Sequence, residues 1–493
     1  MPTGHGPSAA AVCGIASTAP LPSAAAARPR IITRPTRTAI VAPPHRWTSI
    51  LHASADGPGC PGEGRGAAVD AARRGREYVG MLRSFQVTNH RSLAERQELR
   101  LTKGSGPVAV PVTAIHGGAA AGKSSLVHAL GQLRDAVLHS VTGWDPYAGP
   151  VRSPHLARAD RPSEFEVAFV AEGCPYTYGF RLDTADVTAE WLYSHPRSRK
   201  RIVFERTGTE VKVGPMFEAA RYGIVALVPL VRPNALLLSL AGQMYAEALV
   251  PAYRWFSSML EVRQGPVDPA EVAHRLGGHV SRSPDHAARL LLLLRTAELG
   301  ITDLLVAEPD PLYADYLREL DAEIAAAVEQ TDLAAASPAH AERLFEQTGL
   351  TPVLAERELT NLRAARDALY ARMVARRGVG LQLVHEGIDT PFEIADESSA
   401  TLALLRLLPA MLDALDEGRV LVVDDIGAGL PIEQADRLVQ LFQNPETNTR
   451  GAQLVFTTDD RGLIDRGNGR SQRTRTAVWQ VRREDGASTL TPR

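Results

Sequence analysis

The sequence predicts an α/β fold in which a mostly parallel sheet is divided by a large helical insertion. Short apolar runs at 111–117, 419–425 and 452–460 end in glycine or acidic residues, as buried parallel strands do. Between the first and second of these runs, charged amphipathic patterns recur at helical spacing. A single sheet whose two halves are far apart in the chain accounts for this order.

The composition is that of an ordinary globular protein. The chain has 493 residues, of which 44% are hydrophobic and 22% charged, and its formal net charge is −2. It is long enough for a large core or for two domains. No apolar run approaches the roughly eighteen residues of a membrane span. The three cysteines are too widely spaced to suggest a disulfide framework or a zinc site, so we expect a reducing, cytoplasmic location and no membrane partner.

Residues 1–80 differ from the rest of the chain. They are rich in Ala, Pro, Gly, Ser and Arg and keep no helical or strand period, which predicts a disordered extension. The first part lacks acidic residues, as transit peptides do, and has no apolar core of a secretory signal. A simpler interpretation is a mis-assigned start. A clean strand pattern begins at Met81, so residues 1–80 would be upstream sequence translated from a GC-rich gene.

Local patterns predict the elements after Met81. Alternation indicates strands, and helical spacing indicates amphipathic helices, of which the pair at 313–330 and 353–377 should pack as a short antiparallel pair. In chain order we predict a strand at 81–88, a strand at 111–117, a helix at 123–133, a hairpin at 163–183, a strand pair at 200–214, helices at 286–300, 313–330, 353–377 and 401–415, a strand at 419–425, a helix at 432–443, a strand at 452–460 and a closing edge strand at 476–485.

The segment IHGGAAAGKSSLVHAL, residues 115–130, has the pattern G-x-x-x-x-G-K-[ST] between a predicted strand and a predicted helix. Its glycines let backbone N–H groups curl around phosphate oxygens. In this Walker A pattern Lys123 would reach the β- and γ-phosphates of ATP, and Ser124 would be a ligand of Mg²⁺. A chance match in a small-residue turn is the alternative. The predicted P-loop NTPase contacts are Gly117, Gly118, Ala119, Ala120, Ala121, Gly122, Lys123, Ser124 and Ser125.

A Mg·ATP site also needs a carboxylate at the end of a neighbouring strand. Asp424 follows the apolar strand RVLVV and is the candidate metal ligand. Taken alone, VVDD is also an ordinary acidic strand end in any α/β protein. Together with the phosphate loop it favours the metal-side aspartate.

With both motifs in place, residues 81–493 resemble the bacterial AAA-family ATP-binding proteins whose heads are built like those of ABC and SMC-type repair ATPases, relatives of the OLD group. MLRSFQVTNHRSL is similar to the family's opening strand and N-[FH]-R-S turn, which puts Asn89, His90, Arg91 and Ser92 near the nucleotide. The segments at 163–180 and 191–193 resemble its antiparallel β arm. ADESSATLALLRLLPAMLDALDEGRVLVVDD resembles its signature segment with Walker B, and QLVFTTDDRGLID its switch strand.

This resemblance implies an ATP-dependent head-to-tail homodimer. The signature segment of one protomer would cap the γ-phosphate held by the other, with Ser398 as the donor and Ala400 beside it. ESSAT also reads as a helix N-terminus with capping hydroxyls, and both roles are compatible. The implied domains are an N-terminal half-head at 81–215 with phosphate loop and β arm, a helical insertion at 216–380, and a C-terminal half-head at 381–493 with signature, Walker B and switch strand.

Three departures from the family pattern concern hydrolysis. The catalytic glutamate is replaced by Asp425, one methylene shorter, and an ångström of misplacement can cost about a hundredfold in rate. The switch histidine is replaced by Asp459, which cannot donate to a γ-phosphate. The signature glycine is Ala400, and its Cβ is unwelcome if that backbone needs a positive φ or a close approach to phosphate. Together with Lys123 of the phosphate loop, Asp425 and Asp459 are the residues expected to act in hydrolysis, and these departures predict that it is slow.

Two functions follow from these observations. The first is a slow ATPase of the repair or phage-defence type, with any nuclease effector on a separate polypeptide. The second is an ATP-binding clamp or scaffold that does not hydrolyse. A kinase or GTPase is disfavoured because we find no N-K-x-D and no lid arrangement.

DNA is a further candidate partner. The cluster HPRSRKRIVFER offers Arg197, Arg199, Lys200 and Arg201 to phosphates. A solvated turn between strands explains the same cluster without DNA.

Overall fold

The computed structural model describes residues 80–102, 109–244, 246–280, 283–297, 299–306, 311–377, 381–388, 390–466 and 476–493. The predicted disordered extension, 1–80, lies outside the described residues except for Gly80, which begins the first strand. The strands are β1 (Gly80–Thr88), β2 (Gln97–Arg100), β3 (Val112–His116), β4 (Ser163–Ala171), β5 (Cys174–Leu182), β6 (Val187–Ser194), β7 (Arg201–Thr207), β8 (Glu210–Val213), β9 (Leu260–Arg263), β10 (Ile301–Val306), β11 (Leu381–His385), β12 (Phe392–Glu393), β13 (Val420–Val423), β14 (Gln453–Thr458), β15 (Thr476–Glu484) and β16 (Ala487–Pro492).

The helices lie between these strands, mostly in the middle third of the chain. They are α1 (Lys123–His139), α2 (Glu218–Leu227), α3 (Leu237–Gln243), α4 (Val250–Arg254), which continues into a π-helical turn (Trp255–Met259), α5 (Pro269–Val280), α6 (Pro284–Thr296), α7 (Pro311–Ala336), α8 (Pro338–Thr348), α9 (Pro352–Arg377), α10 (Ser399–Glu417), α11 (Ile432–Gln443) and α12 (Arg461–Arg466).

A six-stranded sheet in the order β16-β15-β3-β14-β13-β9 holds the nucleotide motifs. All its neighbouring strands are parallel except β15 and β16. Strands β13 and β14 are buried at every residue, because the cores on both sides of the sheet cover them. This sheet confirms the predicted α/β fold with a mostly parallel sheet.

A seven-stranded antiparallel sheet, β2-β1-β4-β5-β6-β7-β8, forms the predicted β arm. Along β4, SEFEVAFVA, buried and half-buried residues alternate without a break. Alternation of this kind turns one face of the sheet to the core. The buried face contributes Phe85, Phe165, Phe169, Tyr178 and Phe180 to the core that also contains α1.

Helices α7 and α9 pack against each other as an antiparallel pair, as predicted. Asp321, in the first half of α7, is ion-paired with the almost fully buried Arg366, in the second half of α9. At the other end of the pair, Ala334, near the end of α7, packs in one hydrophobic cluster with Ala355, near the start of α9, so the two helices run in opposite directions. Helix α8 joins the two and adds Leu344 to that cluster.

The structure differs from the predicted elements at two places on the parallel sheet. Segment 216–380 contains β9, which pairs with β13, because the four residues LEVR are too short to show a period. Segment 476–485 is not an edge strand: β15 lies between β3 and β16, and β16 was not predicted.

Among the described helices, none is long and apolar enough to cross a membrane.

Candidate nucleotide-binding site

The phosphate loop lies between the end of β3 and the start of α1, in the centre of the parallel sheet. Gly122 has φ 106°, and Ala120, with φ 57°, is also in the left-handed region. Turns of this kind direct successive backbone N–H groups to one side, where they form an anion-binding concavity. A Cβ on Gly122 would lie 2.2 Å from the Ser488 Oγ and 2.6 Å from the Ser92 Oγ, so no side chain fits there.

The N-terminus of α1 is available to an anion. Its cap residue is Gly122, which has no side chain that could cap the helix, and the first turn has no acidic residue. The uncapped N–H groups and the helix dipole therefore favour negative charge at this end. The Lys123 Nζ donates hydrogen bonds to the carbonyl oxygens of Gly117 (2.8 Å) and Gly118 (3.1 Å), so the ammonium lies over the loop.

Asp424 and Asp425 follow β13 at the same edge of the sheet. The Thr457 Oγ1, on β14, donates a 2.7 Å hydrogen bond to the Asp424 Oδ1. The same hydroxyl accepts one of 2.7 Å from the Asp425 backbone N–H. Thr457 is fully buried and fixes both aspartates relative to β14. In the sequence, Thr457 is recognisable only as a polar residue in a predicted buried strand.

Asp425 has an unusual backbone and an unusual ionisation. Its φ is 54°, a left-handed conformation that Asp and Asn tolerate better than most residues. Asp425 is exposed, but partial loss of solvent, and then the carboxylates of Asp459 and Asp424, raise its pKa, whereas Lys123 opposes them. The predicted hydrolytic residues Lys123, Asp425 and Asp459 are therefore close enough to interact electrostatically.

Asp459 directly follows β14 and is exposed. The preceding residue, Thr458, is aligned with His116 on β3, the residue just before Gly117. Burial lowers the pKa of His116, and the neighbouring Thr458 backbone opposes this shift. The switch segment and the phosphate loop are thus connected through a neutral histidine that sequence reasoning missed.

Arg91 also lies at the site. Partial burial lowers the pKa of Arg91, and the nearby Asp424 carboxylate opposes this shift. The Asn89 side chain fixes the turn: its Nδ2 donates to the carbonyl oxygens of Arg158, Arg161 and Pro162, and its Oδ1 accepts from the His155 N–H. The Ser92 Oγ donates to the Ser125 Oγ at 2.9 Å, which ties the turn to α1.

A pair of histidines connects the turn that contains Arg91 to helix α1. The Nε2 of His90 lies 3.0 Å from the Nδ1 of His128 on α1, and the two rings are stacked. Burial, then the neighbouring positive charges, lower the pKa of His90 to about 3 and that of His128 to about 4. Both imidazoles are therefore neutral near pH 7.

The predicted signature segment begins α10. Ser398 is exposed and is the N-cap, and its Oγ accepts from the Thr401 N–H at 3.1 Å. Ala400 lies in the first turn of α10 and has no positive φ, so the predicted backbone conflict with its Cβ does not arise. Within the described part of the chain, no hydrogen bond joins Ser398 or Ala400 to the phosphate loop.

The loop after Asp425 contacts the start of α10. A Cβ on Gly429 would lie 3.6 Å from the Ser399 carbonyl oxygen and 3.6 Å from the Ala403 Cβ. The signature segment is therefore adjacent to the residues that follow Walker B.

The basic cluster forms the turn between β6 and β7. Arg197, Arg199 and Lys200 are exposed, and Arg201 is half-buried. The Lys200 ammonium lies 3.5 Å from the centre of the Tyr193 ring. Burial raises the pKa of Glu166, a carboxylate of the arm sheet, and Lys200 opposes that shift, so this carboxylate lies within electrostatic reach of the cluster.

The residues at the loop suit Mg·ATP. In the described ranges no group of three or more His, Cys, Asp or Glu side chains is placed to hold a metal. Mg²⁺ in nucleotide sites uses few protein ligands, usually one or two carboxylates besides hydroxyl, water and phosphate oxygens. The exposed Ser124 and the half-buried Asp424 offer such a donor set.

The chain matches a known protein family. The family model "AAA domain, putative AbiEii toxin, Type IV TA system" matches residues 112–254 and 280–465, more than half of the chain. No curated protein matches the chain.

Solved SMC heads are similar to this chain at low identity. A structure of the SmcHead bound to the C-winged helix domain of ScpA has TM-score 0.39 and 10% identity, and the match covers 84% of this chain and 97% of that one. An Smc head from Pyrococcus furiosus with an extended coiled coil, bound to the C-terminal domain of ScpA, has TM-score 0.36 and 14% identity, with coverage of 84% and 96%. The SMC head domain from Thermotoga maritima has TM-score 0.36 and 10% identity, with coverage of 84% and 98%.

Proposed function

The chain belongs to the family described as "AAA domain, putative AbiEii toxin, Type IV TA system". From that premise we propose that it binds Mg·ATP and hydrolyses it slowly. The observation that carries the proposal is the grouping of Lys123, Asp425 and Asp459 around an uncapped helix N-terminus. Lys123 would leave the carbonyl oxygens of Gly117 and Gly118 and donate to phosphate. Ser124 and Asp424 would hold Mg²⁺, which neutralises charge on the phosphate oxygens.

Asp425 is the residue proposed to orient the attacking water and accept its proton. Only the ionised carboxylate can accept a proton, and the raised pKa of Asp425 makes it a better base once it is ionised. Its short side chain and the acidic neighbour Asp459 both oppose fast turnover. The expected enzyme is therefore a slow timer between a nucleotide-bound and an open state.

The test is ATP turnover by the full chain with Mg²⁺, with nucleotide binding recorded on the same samples. Lys123→Ala should lose both binding and turnover. Asp425→Asn should keep binding and lose turnover, because Asn accepts the left-handed backbone but no proton. Turnover that survives unchanged in both variants would exclude this site as its source.

A clamp or scaffold that does not hydrolyse is the second candidate. The observation that favours it is the pair of acidic side chains, Asp425 and Asp459, where the family pattern has a glutamate and a histidine. Tight nucleotide binding by the wild type, with no turnover above that of Lys123→Ala, would select this candidate.

The proposed active form is a head-to-tail homodimer in which Ser398 of one protomer meets the nucleotide of the other. Its support is that Ser398 is exposed and makes no hydrogen bond, within the described residues, to the loop of its own chain. ATP-induced dimerisation is measured by light scattering on Asp425→Asn, which retains nucleotide.

Adding Ser398→Ala to Asp425→Asn should abolish this dimer. The matched control is Ser283→Ala, because Ser283 caps α6 in the same way. Each substitution removes an N-cap worth about 1 kcal/mol. Equal dimerisation in the two would contradict the assigned role of Ser398.

DNA contact and an effector complete the proposal. The basic turn at Arg197–Arg201 is proposed to contact nucleic-acid phosphates, and a separately encoded nuclease is proposed as one possible effector. Neutralising Arg197 and Arg199 should flatten a steep salt dependence of DNA binding. Binding without salt dependence would leave the turn as a solvated connection.

A further inference from the structure

Strands β15 and β16 lie against the phosphate loop. A Cβ on Gly117 would lie 2.6 Å from the Val481 carbonyl oxygen of β15. The Cβ position of Gly122 is blocked by the Ser488 side chain of β16. The two glycines that the Walker A pattern specifies, Gly117 and Gly122, are therefore both required by the same hairpin, which that pattern does not include.

Ser488 makes two hydrogen bonds that converge on the site. Its Oγ donates to the Ala121 carbonyl oxygen at 2.7 Å, and this hydrogen bond is buried from solvent. The two residues are 367 positions apart in the sequence. Its backbone N–H donates to the Ser92 carbonyl oxygen at 2.7 Å. Ser488 is 1% exposed, so water cannot take over either contact.

We propose that Ser488 is a positioning residue for nucleotide binding, which fixes the phosphate loop and the Arg91 turn relative to each other. Ala121 lies between the left-handed residues Ala120 and Gly122, the part of the loop whose N–H groups face an anion. Ser92 directly follows Arg91, and its own Oγ contacts Ser125 on α1. One serine thus joins the two chain segments that are proposed to meet the phosphates. This inference rests on the proposed function.

Ser488→Ala tests it in the full chain. The variant leaves the Ala121 carbonyl oxygen without its donor, and a loop held less rigidly must be ordered by the nucleotide. We expect about tenfold weaker binding of ATP with Mg²⁺, measured by fluorescent-nucleotide displacement. Ser488→Cys, which keeps the size and a weak donor, should lie between the wild type and Ser488→Ala.

Ser140→Ala is the matched control. Ser140 is fully buried at the other end of α1, and its Oγ accepts a 3.1 Å hydrogen bond from the Leu236 N–H. It should lose stability as Ser488→Ala does but keep wild-type affinity. If both serine variants lower Tm and neither changes affinity, Ser488 is only structural and the proposal is wrong.

A double-mutant cycle between Ser488→Ala and Arg91→Ala separates positioning from a general loss of packing. If Ser488 acts partly through the Arg91 turn, the double variant should lose less affinity than the two single losses combined. Independent losses would overturn the link to Arg91. Lys123→Ala in the same assay distinguishes failure of the proposed function from failure of this inference. If wild type and Lys123→Ala bind nucleotide equally well, the proposed function fails and this inference fails with it. If only Lys123→Ala is impaired, Ser488 alone is refuted.

Discussion

The hydroxyl of Thr457 donates to the carboxylate of Asp424 at 2.7 Å and is therefore oriented to accept from the next backbone N–H. A carboxylate held in this way presents its other oxygen in one direction, which is what a metal ligand in a nucleotide site requires. The relationship makes Thr457 a support for both aspartates, although it lies on a different strand.

Thr457→Val should lower turnover about tenfold and raise the Mg²⁺ concentration needed for half-maximal rate. The reason is that the Asp424 carboxylate loses its donor and can rotate. Nucleotide binding without Mg²⁺ should not change. The measurement is a Mg²⁺ titration of ATP turnover.

The control for that substitution is Thr113→Val on the neighbouring strand β3. The Thr113 Oγ1 is fully buried and has no hydrogen-bond partner in the described part of the structure. Replacing it with a methyl group should be neutral or stabilise the fold by about 1 kcal/mol. A Mg²⁺ effect of equal size in Thr113→Val would refute a specific role for Thr457.

Asp425→Glu should not restore fast hydrolysis. The family pattern has glutamate here, but the backbone of Asp425 has φ 54°, which Asp and Asn tolerate better than Glu. We expect a loss of about 1 kcal/mol in the free energy of unfolding and turnover no higher than that of the wild type. Chemical denaturation and steady-state turnover on the same preparation check both. A more active and equally stable Asp425→Glu variant would show that side-chain length alone limits the rate.

Turnover should fall on the acid side at a pH above the usual range for an aspartate. Loss of solvent and the Asp459 carboxylate raise the pKa of Asp425, so it becomes protonated sooner as pH falls. Asp459→Asn removes the second of these causes and should move the acid limb of the rate profile to lower pH. An unchanged acid limb would mean that another group controls it.

The same pKa shift has a consequence for stability. Because the folded state raises the pKa of Asp425, the stabilising contribution of its neutral form is complete below the unfolded value of 3.8 and is lost as pH rises through the folded pKa. Asp425→Asn should therefore be at least as stable as the wild type near neutral pH.

The sequence was sufficient for the parts of the site that are local. The loop, the start of α1 and the Asp424 strand end are each encoded within a few residues, so apolar runs and glycines predict them. The antiparallel pairing of α7 and α9 follows similarly from two long amphipathic patterns.

The remainder depends on contacts that no local pattern encodes. Ser488 and Thr457 are ordinary polar residues until the sheet order brings them to the loop and to Asp424. Asp425 has a left-handed backbone, and its N–H is hydrogen-bonded to a side chain of another strand. Strand β9 is too short to be recognised without its partner β13.

The stacked pair of His90 and His128 should make the fold sensitive to acid. The folded state lowers the pKa of His90 to about 3 and that of His128 to about 4, from an unfolded value of 6.5. Since the unfolded chain binds these protons more readily, the stabilising contribution is complete above pH 6.5 and is lost as pH falls towards the folded values. We expect Tm to fall steadily between pH 6.5 and 4. His128→Gln, which keeps a hydrogen-bonding group beside His90 but does not titrate, should reduce that slope. The exposed His139, on the last turn of the same helix, is the control position, and His139→Gln should leave the slope unchanged. Identical slopes in wild type and His128→Gln would assign the acid sensitivity to other groups.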